Sequence, residues 1–190
     1  MKGYVYITSS GYDPDKGKSV KDPYLGKNPT LGACMPNIRQ HVVPGDDIFV
    51  VSGKVLGIQQ YVIGGFEVAA KIDAITAYEM FPEHRLRQGD DGELVGNIIV
   101  DARGKHHPLD THKAKAFERR IENYIIGRNP VVLSAPHEIA RGRIESLDVL
   151  QGILGKRGPA PIRVIGRASR LDRTQVRELH DWLLAVKSGL

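Results

Sequence analysis

Runs of apolar, β-branched and aromatic residues alternate along this chain with polar stretches that contain glycine and proline. Short runs of this kind, bounded by turn-forming residues, are typical of β-strands. They predict strands at residues 4–8, 48–51, 97–100, 131–134 and 162–168. In the last of these, basic and apolar residues alternate, as expected for a strand with one exposed face.

A longer apolar stretch covers residues 57–72 and contains the pair Gly64-Gly65. Both a hairpin and a single strand bent at the glycines fit this pattern. Glu67 and Lys71 alternate with apolar neighbours, which favours the single bent strand.

Four segments place apolar residues three and four positions apart, which predicts helices. They are residues 74–81, 110–127, 139–154 and about 173–187. Asp110 is a suitable N-cap for the second helix. Asp172, with Gln175 three residues later, predicts a capping box at the start of the last one.

The chain between about residues 9 and 30 is polar, rich in lysine and interrupted by glycine and proline. A loop of this length is either solvated or functional, for example as a lid over a ligand. Within it, Gly11–Ser19 resembles a phosphate-binding P-loop, but one residue too many separates its first glycine from the Gly-Lys-Ser. Pro23 also interrupts the helix that such a motif requires. We therefore predict no nucleoside triphosphate site here.

Composition limits the class of protein. The 190 residues, 41% of them hydrophobic, suffice for a single domain with a core. The formal net charge of +5 favours a polyanionic partner without requiring one. Cys34 is the only cysteine, which excludes an internal disulfide and predicts a reducing, cytoplasmic location. No apolar run approaches the roughly 20 residues of a membrane span, so no membrane partner is predicted.

The stretch Leu31–Lys54 concentrates polar groups around one predicted buried strand. Asn37 and Arg39 lie in a short segment, long enough for one helical turn, ahead of that strand. Ser52 and Lys54 follow it. Polar side chains held at the ends of a rigid strand are a common way to build a binding site, so these four are candidate binding residues.

Basic residues near the C-terminus are a second candidate feature, because clustered lysine and arginine side chains contact phosphates. They are Lys156, Arg157, Arg163, Arg167, Arg170 and Arg173. Tyrosines provide faces on which unpaired bases stack, a role open to Tyr4, Tyr6 and Tyr12. Packing within the sheet is the alternative for Tyr4 and Tyr6.

The densest set of metal-ligating side-chain types comprises Asp101, His106, His107, Asp110 and His112. Imidazole and carboxylate groups suit zinc. Their spacing matches no defined ligand pattern, however, and favours a polar turn that leads into a capped helix. Cys34 fits a small buried thiol better than a nucleophile. The sequence therefore assigns no catalytic residue, no metal and no cofactor.

The order of these motifs resembles the PUA-like superfamily, in particular its EVE, ASCH and YTH branches. The resemblance rests on the strand YVYITSS, the turn MPNIR, the segment VPGDDIFVVSG, the segment GGFEVAAKIDAITAYEMF and the C-terminal GRASRL. More narrowly, YVYITSSG, LGACMPNIR and PGDDIFVVSG are similar to the nucleotide-modification-associated domain 2 family.

This resemblance implies an α+β fold, a PUA-like pseudo-barrel of mixed β-strands flanked by helices, that forms one domain over residues 1–190. It also implies a pocket for a flipped or single-stranded modified base in DNA or RNA. Carried over to this chain, the pocket would involve Ser9, Ser10, Asn37, Arg39 and Ser52 to Lys54.

The sequence favours a binding module over an enzyme. The preferred hypothesis is a reader of a modified base, associated with nucleic-acid modification or phage defence. In it, Asn37 and Arg39 contact the base edge, and Arg167 and Arg170 hold phosphates. One alternative is an enzyme of base or nucleotide modification that uses the Asp101, His106, His107 and Asp110 group or Cys34. Another is an accessory subunit that binds a protein partner.

Overall fold

The computed structural model describes residues 2–8 and 21–190. The chain forms two compact units. Unit 1 consists of Met1–Val20, Gly45–Glu67 and Asn129–Leu190, and unit 2 of Lys21–Pro44 and Val68–Arg128. Within the described ranges, no helix is long and apolar enough to cross a membrane.

The described residues form strands and helices in a mixed order, which defines an α+β fold, as predicted. The strands are β1 (Gly3–Ile7), β2 (Thr30–Leu31), β3 (Asp47–Val51), β4 (Val62–Ile72), β5 (Arg87–Gln88), β6 (Leu94–Val95), β7 (Tyr124–Val132) and β8 (Ala168–Leu171). The helices are α1 (Pro36–His41), α2 (Ala74–Met80), α3 (Phe117–Ile121), α4 (Pro136–Leu154), α5 (Pro161–Ile165) and α6 (Arg173–Ser188).

Six strands form one mixed sheet in the order β2-β7-β4-β3-β1-β8. Strand β1 runs parallel to β3, whereas β8 pairs antiparallel with β1, and β4 antiparallel with β3. The short strands β5 and β6 form a separate ribbon. A barrel requires its two edge strands to pair with each other. In the described part of the chain β2 and β8 remain edges, so the sheet is not a closed barrel and the pseudo-barrel is not confirmed.

Strand β4 is one strand and not a hairpin, as the alternation of Glu67 and Lys71 with apolar residues predicted. A Cβ atom at Gly64 would lie 2.3 Å from the carbonyl oxygen of Val131. Only glycine therefore allows β7 to approach β4 this closely.

In unit 1, α6 presents an apolar stripe to the core. Its buried residues recur three or four positions apart and are Val176, Leu179, Leu183 and Val186. The predicted capping box is present, because the carboxylate of Asp172 accepts a hydrogen bond from the backbone N–H of Gln175 at 2.9 Å. The side chain of Gln175 accepts one from the N–H of Asp172 at 3.0 Å. The prediction of α6, like that of α4, is confirmed.

Unit 2 has its own apolar cluster, formed by Ala74, Ala77, Ile98, Val100 and Tyr124. Helix α2 contributes the two alanines, which confirms the helix predicted there.

The single helix predicted from Asp110 to Gly127 is wrong. Helix α3 covers only Phe117–Ile121, and Tyr124 already begins strand β7. Tyr124 and Ile125 are both buried on that strand. Their spacing also fits a helical stripe, but pairing within the sheet decides the backbone conformation, as tertiary context often does.

Two predicted strands are also absent from the described residues. Residues 161–165 form α5 instead, with Pro161 in the first turn and Gly166 at its end in a positive-φ conformation. The segment predicted as a strand at residues 97–100 forms only isolated bridges, from Ile98 to Arg85 and from Val100 to His106.

Candidate functional site

A groove of about 500 Å³ opens on unit 1. It is formed by the loop at residues 54–60, the middle of α4 and the turn at residues 159–161. Lys54, which the sequence predicted as a binding residue, lies in its lining. The groove is therefore a concave surface of a size that accommodates a small ligand or one nucleotide.

The groove lining combines cationic and apolar side chains with one exposed carboxylate, Asp148. Leu56 is 92% exposed and Ile144 is 74% exposed, although both are large aliphatic residues. Lys54 and Arg143 lie beside them, and the Arg143 guanidinium is 5.8 Å from the centre of the Tyr61 ring. Exposed aliphatic groups next to cations are typical of a surface that contacts a ligand with an apolar face and a negative charge. Leu56 and Ile144 were not predicted as site residues from the sequence, because exposure depends on the fold.

One wall of the groove belongs to a basic segment, which we define as residues 149–171. This segment contains no aspartate or glutamate. Its cationic residues are all exposed and are Lys156, Arg157, Arg163, Arg167 and Arg170. None of them forms an ion pair with another residue in the described part of the chain, so their charges are available to a partner.

Ser52, which the sequence also predicted as a binding residue, has a structural role in unit 1. Ser52 is buried, and its hydroxyl accepts a hydrogen bond from the backbone N–H of Tyr61 at 2.9 Å. The carbonyl oxygen of Ser52 accepts one from Gln60. These bonds hold the end of β3 and shape the loop that forms the groove. Ser9, Ser10 and Tyr12 lie outside the described residues.

Arg39 is placed in the interior of unit 2 and is fully buried. Its guanidinium donates hydrogen bonds of 2.5 to 3.1 Å to the carbonyl oxygens of Ala33, Cys34, Arg120 and Asn123. The role predicted for Arg39, contact with a base edge, does not fit this position, because its donors are directed at the backbone. It ties the loop before α1 to the segment that follows α3.

Asn37 lies on the same short helix as Arg39 but is exposed. Its side-chain oxygen accepts a hydrogen bond from Arg119 at 2.6 Å. One helical turn thus directs one predicted binding residue outward and the other inward. The structure does not bring the two side chains to a common surface.

A buried polar network in unit 2 was not predicted from the sequence. The carboxylate of Asp22 accepts hydrogen bonds from the backbone N–H groups of Gly32, Ala33 and Cys34 and from the Asn97 amide. The hydrogen-bond partners of Asp22 are close to it in space but distant in the chain. No sequence motif therefore predicts them.

The same network continues from Asn97 to three other buried side chains. The Asn97 amide also donates to the Thr30 hydroxyl at 2.9 Å, and its oxygen accepts from the Tyr124 hydroxyl at 2.8 Å. A ring nitrogen of His84 lies 3.0 Å from the Thr30 hydroxyl. Burial lowers the pKa of His84 and favours its neutral form. Because these groups bond to one another, the network is a polar core rather than an open site.

The histidine-rich turn forms a compact contact around Asp110. The carboxylate of Asp110 lies 2.6 Å from Nε2 of His106 and 2.6 Å from Nδ1 of His112. Burial alone would raise the pKa of Asp110, but the hydrogen bonds from His112 and His106 hold it below its usual range. Asp101 instead caps its own turn, where it accepts from the N–H groups of Arg103 and Lys105.

His107 is used within the same turn, since its Nδ1 accepts a hydrogen bond from the backbone N–H of Leu109 at 3.2 Å. Among the described residues, no group of three or more histidine, cysteine, aspartate or glutamate side chains could hold a metal ion. The contact at Asp110 therefore orders the turn before α3.

Cys34 is held in an environment that disfavours its thiolate. Burial, followed by the charge and hydrogen bond of Asp22, raises the pKa of the Cys34 thiol to about 12. A thiol with this pKa is protonated at neutral pH and is a poor nucleophile. The enzyme hypothesis gains no support from this residue.

Comparison of the chain with protein-family models, with curated proteins and with solved structures finds no significant match. The resemblance to the PUA-like superfamily therefore stays a prediction from the sequence, and the groove and the basic segment of unit 1 are the candidate functional site.

Proposed function

We propose that this protein binds nucleic acid through the groove and the basic segment of unit 1. The observation that carries the proposal is the run of exposed, unpaired cations without any acidic residue over residues 149–171. Lysine and arginine side chains that neutralise phosphates supply most of the affinity of non-specific nucleic-acid binding. The groove adjoins this segment, because residues 159–161 of the segment line it.

The groove is the place for an unpaired base. Leu56 and Ile144 offer aliphatic contacts to the base faces, and Gln59 offers an amide to the base edge. Bases that leave the stack are held by apolar side chains and by hydrogen bonds to their edges. Recognition of a modified base, and a link to nucleic-acid modification or phage defence, rest on the family resemblance and are part of the proposal.

The phosphate contacts are testable with a charge reversal in the basic segment. We expect Arg167→Glu to weaken binding of fluorescent single- and double-stranded oligonucleotides, measured by anisotropy at two or more salt concentrations. Loss of one phosphate contact should reduce the slope of log affinity against log salt by roughly 0.7–0.9. Arg103→Glu, which reverses an exposed arginine of unit 2, is the matched control and should leave the slope unchanged.

The role of the groove requires a second variant. Ile144→Ser should reduce the preference for oligonucleotides with an unpaired or modified base, while the salt slope stays as in the wild-type protein. Failure of the wild-type protein to bind any oligonucleotide at low salt would refute the proposal. A reduction in slope by Arg103→Glu equal to that by Arg167→Glu would refute the assignment to the basic segment.

A further inference from the structure

A second cavity of unit 1 has a different chemistry. It has a volume of about 620 Å³ and lies at the starts of β3 and α6 and beside residues 67 and 129. Its sheet side carries two carboxylates, and its helix side carries two arginines and a histidine. The residues concerned are Asp47, Glu67, Arg173, Arg177 and His180.

Asp47 is the deepest of these charges, with only 8% of its surface exposed. Among the described residues, none donates a hydrogen bond to its carboxylate or forms an ion pair with it. Buried carboxylates normally have such partners, because desolvation of an unpaired charge is costly. A carboxylate buried at a cavity wall without a partner points to a ligand that supplies the missing donor.

Glu67 adds a second carboxylate to this wall. It lies directly opposite Asp47 in the antiparallel pairing of β3 with β4. The side chain of Asn129 donates a hydrogen bond to Glu67 at 3.1 Å, which holds that carboxylate at the cavity. Burial, together with the charges of Glu67 and Asp46, raises the pKa of Asp47 to about 6. At neutral pH the two carboxylates therefore repel each other.

The opposite side of the cavity is cationic. Arg173, Arg177 and His180 are four and three residues apart on α6, so they lie along one face of the helix. Both arginines are exposed and His180 is half-buried. Within the described ranges, none of the three forms a hydrogen bond or ion pair through its side chain. Their donors are available to an anionic group at the mouth of the cavity.

We propose that this cavity binds a small molecule with a cationic nitrogen and a carboxylate, such as a basic amino acid. The cationic nitrogen lies against Asp47 and Glu67, and the carboxylate contacts Arg173 and Arg177. A guanidinium head is well suited, since it presents parallel N–H donors to a carboxylate. This site is separate from the groove proposed for nucleic acid, and the two carboxylates would repel a phosphate.

A bare metal ion is a less suitable occupant. Within the described part of the chain, no three acidic, histidine or cysteine side chains come together in a geometry that holds a metal. An organic cation needs only hydrogen-bond acceptors and an apolar contact, and Val176 supplies the latter at the cavity wall.

Isothermal titration of the full chain with three probes tests this proposal. L-Arginine carries both charged ends, agmatine lacks the carboxylate, and glutarate lacks the cation. We expect L-arginine to bind, agmatine to bind more weakly and glutarate not to bind. Asp47→Asn should weaken L-arginine binding by more than about tenfold, because it removes the deep negative charge. Arg177→Gln should weaken L-arginine but leave agmatine unchanged.

Two controls make the outcome specific. Asp181→Asn changes an exposed carboxylate on α6 in the same way and should leave L-arginine binding intact. Arg163 lies in the basic segment. Arg163→Gln should therefore weaken oligonucleotide binding but leave L-arginine binding unchanged, which separates the two proposals. Absence of L-arginine binding, or equal affinity in wild type and Asp47→Asn, would overturn the assignment. Loss of binding in Asp181→Asn would do so as well.

The pH dependence gives a further readout. Protonation of Asp47 removes the charge that attracts the cation, so affinity for L-arginine should fall as the pH drops through about 6. The charges of Glu67, Asp46 and the chain's N-terminal amine act on Asp47, Lys2 pairs with Asp46, and Arg173, Arg177 and His180 lie on the helix side. Affinity that rises as the pH drops would contradict the proposal.

Discussion

The buried charges of unit 2 and the cavity of unit 1 differ in what surrounds the charged group. In unit 2, Asp22 accepts hydrogen bonds from three backbone N–H groups, and Arg39 donates to four backbone carbonyls. In unit 1, Asp47 is buried to a similar degree but receives no hydrogen bond from the described residues. The first arrangement stabilises a fold, whereas the second leaves a buried carboxylate without a donor from the described residues, which is why we propose a ligand there.

Glu138 makes the same contrast within unit 1. It is 6% exposed, but its carboxylate accepts from the N–H groups of Ser134 and Ala135 and from the Lys187 ammonium. Burial alone would raise its pKa, yet these bonds hold the pKa at about 2. Two carboxylates with nearly equal exposure thus have pKa values on opposite sides of the usual range. At Asp47 desolvation and the neighbouring carboxylates dominate, whereas at Glu138 the hydrogen-bond donors outweigh desolvation.

The largest expected effect is at Arg39. Arg39→Met should lower the free energy of unfolding by about 3–5 kcal/mol, because it leaves several buried carbonyl oxygens without donors. Denaturant unfolding followed by circular dichroism measures the change. Arg119→Met, which removes an exposed arginine of the same unit, should cost less than about 1 kcal/mol. Equal losses in the two variants would show that the buried bonds of Arg39 are not important for stability.

At Asp47 we expect a substitution to raise, and not lower, the free energy of unfolding. A carboxyl group whose pKa rises on folding destabilises the protein at pH values above that raised pKa. Asp47→Asn should therefore increase the free energy of unfolding at neutral pH by about 2–3 kcal/mol, as the shift from 3.8 to about 6 indicates. The gain should shrink between pH 6 and pH 4 and vanish below that. A pH series of denaturant titrations checks this, and a variant less stable than the wild type would refute it.

Glu138→Gln should change the free energy of unfolding by less than Asp47→Asn, and in the opposite direction. The lowered pKa of Glu138 contributes stability that is present above the ordinary value of 4.5 and is lost as the pH falls towards 2. We expect the variant to lose about 1–2 kcal/mol at neutral pH, with the difference closing in acid. At neutral pH, Asp47→Asn should be more stable than the wild type and Glu138→Gln less stable, and both differences should close in acid. Changes of the same sign in the two variants would contradict the contrast between these two carboxylates.

Local patterns along the chain predicted several elements well. The spacing of apolar residues and the Asp172 cap predicted α6, and the alternation of Glu67 and Lys71 with apolar residues predicted a continuous β4. These features depend on residues close in sequence, whose side chains act on their own backbone. The helix predicted from Asp110 to Gly127 was wrong because Tyr124 and Ile125 fit both a helical stripe and a buried strand. Pairing with strands distant in the sequence decides between helix and strand at these two residues.

The candidate site shows the same division. Lys54, Arg167 and Arg170 are exposed on unit 1, as a phosphate-binding role requires, and their charge is visible in the sequence. The apolar side chains that complete the groove could not be predicted, because Ile144 is exposed only by the way α4 packs. Arg39 was predicted to contact a ligand but is buried. The sequence shows an arginine close to a strand and does not show whether its side chain points outward or inward.

Asp46 and Asp47 show most clearly what the sequence determined and what only the tertiary structure decided. The sequence predicted both carboxylates in one tight turn before a strand, whereas Asp47 is already the first residue of β3. The fold gave Asp46 a partner, since the backbone N–H of Lys2 donates to it at 3.1 Å. It placed Asp47 opposite Glu67 at the wall of a cavity. Pairing of β3 with β4, which is distant in the chain, decided this difference, because Asp47 takes part in that pairing and Asp46 precedes it.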